Sequence, residues 1–138
     1  MVQQKKIPTL SERKINNILN LFTGQYIQTP PMYSAKKVAG KKLYEYARKN
    51  ITVKRDPVVL KIFSISLISF DMKNISFSVD CSKGTYVRVL GKDIAEKLGT
   101  IGYLNSLTRT RVGDYTLNQS QSIKNFEKTW KSTIQKKN

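Results

Sequence analysis

VVLKIFSISLISF (residues 58–70), DMKN (71–74) and ISFSVDC (75–81) are the stretch that decides the fold. The first run is rich in β-branched and aromatic residues and predicts a long, mostly buried strand. In the last, Ile75, Phe77, Val79 and Cys81 alternate with Ser76, Ser78 and Asp80. That is the pattern of a strand with one apolar face. Asp71-Met72-Lys73-Asn74 reads as a turn. Two such strands, so joined, predict an antiparallel hairpin.

Working outward toward the N-terminus, Ile15, Ile18, Leu19 and Phe22 recur at helical spacing. Thr9 and Glu12 have capping-box spacing, and Gly24 stands where the helix would stop. A helix is therefore expected over about 10–22, with Leu10 joining its core face. Residues 25–40, QYIQTPPMYSAKKVAG, read as a loop, because Pro30-Pro31 blocks helix and removes two donors. A short helix over about 41–49 and a short strand over 51–55 follow.

Beyond the hairpin comes SKGTYVRVLGKDIAEKLG, in which Leu90, Ile94 and Leu98 make a helical stripe ended by Gly99. Residues 103–117 read as one or two further strands, carrying Arg109 and Arg111. From Ser122 onward, Ile123, Phe126 and Trp130 share one side of a final basic helix. The sum is an α+β fold with a mixed, mainly antiparallel sheet and flanking helices. No internal repeat, low-complexity block or clear linker interrupts it.

The chain has 138 residues, 39% of them hydrophobic, enough for one modest core. Its 25 Lys and Arg against nine acids leave a net charge of +16. That excess points to a polyanion, with nucleic acid the first candidate. An anionic membrane surface fits less well, since no basic helix has a wide apolar face. No apolar run approaches the roughly 18 residues of a membrane span. Met1 to Pro8 has no apolar h-region, so no secretory signal is expected. With Cys81 the one cysteine and no histidine, a zinc site is not expected and a reduced, cytoplasmic setting is.

Three groups of residues could do chemistry. If extended structure resumes after 81, Tyr86 and Arg88 point to one face, a phenol beside a guanidinium. A flipped base needs an aromatic to stack on and a polar group at its edge, and Arg can instead hold a carboxylate. A strand with an ordinary surface Tyr and Arg would look the same. Ser82-Lys83-Gly84-Thr85 could offer amides and the Lys83 charge to a phosphate, or be a plain turn. The loop 26–42 interleaves Tyr26 and Tyr33 with Lys36 and Lys37, which suits an RNA backbone or a solvated loop. Without histidine, and with no evident carboxylate pair, no other catalytic set stands out.

QTPPMYSAKKVAGKKLYEYARKNITVKR is similar to the thumb-loop region of TruB-type tRNA pseudouridine synthases. CSKGTYVRVLGKDIAEKLG resembles that family's stretch around its active-site tyrosine, and YLNSLTRTRVGDYTL its following segment. The three come in the family's order and cover about residues 5–125. The resemblance implies an enzyme that isomerises uridine 55 in the T-arm of tRNA to pseudouridine, without metal or cofactor. An aspartate attacks, the base detaches, rotates and re-attaches through carbon 5. Tyr86 falls on the tyrosine that stacks on the base and handles a proton. Arg88 falls on the arginine paired with the catalytic aspartate, and Leu107 on an apolar residue lining the uridine pocket. Tyr33, Lys36 and Lys83 would contact the RNA. Residues 1–118 would be the C-terminal part of the catalytic domain, with a thumb loop at about 25–42, and 119–138 a helical tail.

The chain also departs from the family pattern. No Gly-x-Leu-Asp-Pro-like loop occurs, and the one Asp-Pro, Asp56-Pro57, follows Lys54-Arg55. The family's Lys-Pro and Lys-x-Tyr motifs are missing. Ala95 stands where glycine is common, and Gly102-Tyr103 replaces a usual Ala-His. These departures imply a part of a longer synthase, inactive alone, or a non-catalytic RNA-binding module. The remaining half could be a separate partner chain. A sheet built from both halves would leave this part with an unpaired edge, exposed apolar surface and marginal stability.

Overall fold

The strand signals of the hairpin hold to the residue. In the computed structural model, which describes residues 4–136 and the side chains of 4–130, strand β4 spans Val58–Phe70 and β5 spans Ile75–Cys81. They pair antiparallel, Ile65 opposite Val79 and Phe70 opposite Ile75. Asp71 makes the turn, its Oδ1 accepting from the backbone N–H of Lys73 at 2.8 Å and Asn74 at 2.7 Å. Those bonds, Lys73 first, hold its carboxyl below the ordinary carboxylate range.

Helix α1 covers Glu12–Leu21 and is followed by β1, Gly24–Gln28. Gly24, at φ 99°, swings the chain from one into the other. β1 pairs antiparallel with β4, Tyr26 opposite Leu60, giving the order β1-β4-β5. Helix α3, Val87–Lys97, returns across the same face as α1. Ile15 and Leu19 of α1 and its C-cap residue Phe22 meet Tyr26, Ile62 and Ile65 of the sheet and Leu90, Ile94 and Leu98 on the α3 side. Each fully buried aliphatic contributes about 1.5–3 kcal/mol, so this face dominates the packing. Gly99 at φ 90° ends α3 in a Schellman arrangement, Gly99 N–H to the Glu96 carbonyl and Thr100 N–H to that of Ala95.

Between β1 and β4 the chain builds a small appendage. Strands β2 (Lys37–Val38) and β3 (Lys41–Lys42) form a hairpin, joined at Ala39 and Gly40, both at positive φ. Helix α2, Leu43–Arg48, follows, its first amides accepted by loop carbonyls: Leu43 by Lys36 at 2.8 Å, Tyr44 by Ser34 at 3.0 Å. The unit 105–138 holds the hairpin β6 (Arg111–Val112) and β7 (Tyr115–Thr116), a 3-10 turn and helix α4, Ile123–Lys136.

Several expectations are corrected. Ser11, not Thr9, caps α1, its Oγ accepting from Lys14 N–H at 3.2 Å. The segment 25–40 is not all loop, because its first residues are β1. Residues 51–55 form no strand. The Ile51 N–H is spent on the Tyr46 carbonyl as Asn50, at φ 56°, closes the end of α2. β4 is buried on one face only: Val59, Phe63 and Ile68 are more than half exposed, and Ile27 stands opposite Val59. The expected apolar surface is therefore present, and β1 and β5 are sheet edges among the described residues.

Candidate active site

Tyr86 marks the point where the chain leaves the turn after β5 and enters α3. Ser82 pins that turn to the sheet: its N–H donates to the Lys61 carbonyl at 2.8 Å and its Oγ accepts from Lys61 N–H at 2.9 Å. Its carbonyl accepts from the Thr85 hydroxyl at 2.8 Å, and Gly84 supplies φ 87°. The turn uses these groups internally, as a plain turn does. Lys83 is left exposed at its tip.

Tyr86 is the N-cap of α3, with φ −88° and ψ 102°. Its carbonyl accepts from Val89 and Leu90, each at 3.1 Å. Extended structure therefore does not continue through Arg88, which lies in the first helical turn. Positions two apart on a helix do not face each other, so the expected same-face pair is corrected to two residues sharing one helix end.

Gln28, at the end of β1 and 2% exposed, holds Tyr86 by its main chain. Its Nε2 donates to the Tyr86 carbonyl at 2.8 Å, and its Oε1 accepts from the Tyr86 N–H at 2.8 Å. Nε2 also lies 3.4 Å from the Tyr26 hydroxyl, which in turn donates to Asp93 in the second turn of α3. Burial, then the bond to Asp93, pushes the Tyr26 phenol well above its ordinary range, so it stays a donor. A shallow groove beside this chain of bonds is lined by Phe22, Tyr26, Asp93, Glu96 and Lys97.

Arg88 is exposed and donates from Nη2 to the Tyr33 carbonyl at 3.0 Å, joining α3 to the loop. Three residues back, the Pro30 carbonyl accepts from Arg55 Nη1 at 3.0 Å. Two guanidiniums thus grip the segment that two prolines have stiffened. Tyr33 as a residue is 63% exposed. Lys36 is half-buried, its carbonyl capping α2. On the appendage, Lys42 and Arg48 stand 5.5 and 5.0 Å from the centre of the Tyr44 ring, a cation–aromatic cluster other than the one expected from Tyr26, Tyr33, Lys36 and Lys37. Among the described residues Arg88 has no carboxylate partner. Leu107, 58% exposed, belongs to the separate unit 105–138.

Sequence reading named Tyr86 and Arg88 as a pair and Tyr33 apart from them in the loop; the Arg88–Tyr33 bond joins the two, and Gln28 and Arg55 were missed. The one available signal for Gln28 was a polar residue two positions after Tyr26, in what proved to be a strand.

A basic loop clamped by two arginines, a helix start held by a buried amide and a three-stranded antiparallel sheet together make an α+β framework. A family model described as TruB family pseudouridylate synthase (N terminal domain) matches residues 1–87. The chain belongs to that family. It is 45% identical over 121 residues to the tRNA pseudouridine synthase B of Hydrogenovibrio crunogenus, covering 88% of this chain and 40% of that one. To the protein of the same name from Limosilactobacillus reuteri it is 48% identical over 124 residues, covering 86% and 40%. A crystal structure of a Cbf5-Nop10-Gar1 complex superposes with a TM-score of 0.63 at 27% identity, covering 80% of this chain and 29% of that one. The chain thus spans 40% of the length of these two curated relatives.

Proposed function

We propose that this chain supplies the thumb loop and the Tyr86–Arg88 side of a tRNA pseudouridine synthase acting on uridine 55 of the T-arm. The observation that carries this reading is the Arg88 guanidinium at the start of α3, bonded to the loop through Tyr33 and with donors left for an incoming carboxylate. The attacking aspartate comes from sequence this chain lacks, since no Leu-Asp-Pro-like loop occurs in it. In the isomerisation the C1′–N1 bond of the uridine breaks and a C1′–C5 bond forms. N1 takes up a proton and C5 releases one. Tyr86 stacks on the flipped base and Arg88 pairs with the attacking carboxylate. Leu107 lines the uridine pocket. Lys83, Lys36 and Tyr33 contact the RNA, with the phosphate charge met by the lysines. The reaction needs no metal or cofactor and takes place in the cytoplasm.

The exposed apolar face at Ile27, Val59 and Phe63 favours completion by a further part of the synthase, on this polypeptide or a partner. The second reading, a non-catalytic RNA-binding module, shares the binding but not the product. A T-arm hairpin carrying tritium at C5 of the target uridine separates them. The chain alone is expected to bind it and release no tritium. Release should begin when a polypeptide carrying the aspartate loop of a relative is added, and Arg88→Ala should abolish it. Binding without release under every addition would leave the binding module as the answer. No preference for the hairpin over a DNA duplex would sink both.

A further inference from the structure

We propose that Gln28 is a positioning residue for the flipped base, acting through Tyr86; the inference rests on the synthase reading above. A side-chain amide has the same donor and acceptor as a peptide group. Gln28 uses them as a strand would, one bond in each direction to the main chain of Tyr86, both at 2.8 Å. Tyr86 is thereby held like a residue in a ladder although no strand lies there.

The amide has one orientation available. Tyr86 N–H requires an acceptor, and the Tyr86 carbonyl requires a donor. The Tyr26 hydroxyl spends its proton on Asp93, so it faces the Nε2 side with a lone pair. Asp93 lies on α3 itself. β1 therefore grips the helix at its start through Gln28 and in its second turn through Tyr26. These contacts set φ and ψ of Tyr86, and with them the direction of its ring. They also set the first helical turn, from which Arg88 projects.

The position is buried and makes no contact with solvent that an RNA could use, so its effect on the reaction must pass through Tyr86. Loss of the amide should leave the lysine-rich surface intact. It should instead loosen the stacking platform. Binding and base capture are thus separable quantities at this residue.

The test uses this 138-residue chain and a T-arm hairpin with 2-aminopurine in place of the target uridine. Leaving the RNA stack raises the emission of that base. The unmodified chain is expected to bind and to raise emission. Gln28→Leu is expected to keep Kd within about threefold while the emission rise at saturation falls by more than about half. Tyr86→Ala should give the same signature. Should Gln28→Leu not fold by circular dichroism, Gln28→Glu, of the same length, reads the same quantity at pH 8, having lost the donor to the Tyr86 carbonyl. An unchanged emission rise in the folded Gln28 variant, with Tyr86→Ala defective, would overturn the role of Gln28 alone. No emission rise with the unmodified chain would overturn the base-stacking reading itself.

Discussion

A Cβ built on Gly102 falls 2.8 Å from the Cβ of Ala95, closer than two such atoms can stand. Ala95 is in the last turn of α3, and the segment after Thr100 passes over it. Both positions are among the departures that the family resemblance implied, with glycine expected at the first and alanine at the second. One methyl group fits between them, and either side can carry it. Gly102→Ala should cost about 1–3 kcal/mol from overpacking. Ala95→Gly should cost about 1 kcal/mol from helix propensity. The double variant should be more stable than Gly102→Ala alone. Denaturant melts in a double-mutant cycle check this, and simple additivity would count against the contact.

Tyr26→Phe removes the donor to a part-buried Asp93 and the acceptor near Gln28. The expected loss is about 1–3 kcal/mol, because the abandoned partners keep their desolvation cost. The pH dependence has a definite sign. The phenol is raised in the folded state, so its contribution is complete below the ordinary value of 10.0 and is lost as pH rises through the higher folded one. Of seven tyrosines, one should ionise only together with alkaline unfolding. Absorbance near 295 nm followed against circular dichroism measures it.

The lysines of the β2–β3 hairpin should act as phosphate contacts. Lys37→Ala and Lys41→Ala, both exposed, should each reduce the slope of log K against log salt by roughly 0.7–0.9 for T-arm RNA. Their melting temperatures should hardly move, since neither is part of the core. An unchanged slope would mean that RNA passes elsewhere.

Ile27 and Val59 face each other on the uncovered side of the sheet, 59% and 61% exposed. Ile27→Thr with Val59→Thr should leave the fold in place, since threonine keeps the β-branch a strand prefers. Light scattering of the purified chain should fall with these changes. If self-association is unaltered, the apolar face is not what drives it.

How much of this could be read in advance differs from element to element. The stripes of α1 and α3 follow from a period of 3.6, β5 from a period of 2 and the bounds of β4 from a run of β-branched and aromatic residues, all local properties. The charge excess and the strings shared with the family were equally plain, and they carried Tyr86, Arg88 and Tyr33. The strand expected at 51–55 failed because propensity was overruled by a helix cap that consumed the Ile51 amide. The side-by-side Tyr86 and Arg88 failed because α3 begins at Val87, so that Arg88 is already helical.

The sequence by itself determined the hairpin, the two core helices, the basic character and the family. Only the tertiary structure decided that Gln28 would hold Tyr86, that Arg55 and Arg88 would grip Pro30 and Tyr33, and that Ala95 and Gly102 would share one methyl's space. The physical reason is separation: Gln28 and Tyr86 lie 58 positions apart. Whether their groups meet depends on the register of β1 against β4 and the packing of α3 on that sheet. No local pattern records either.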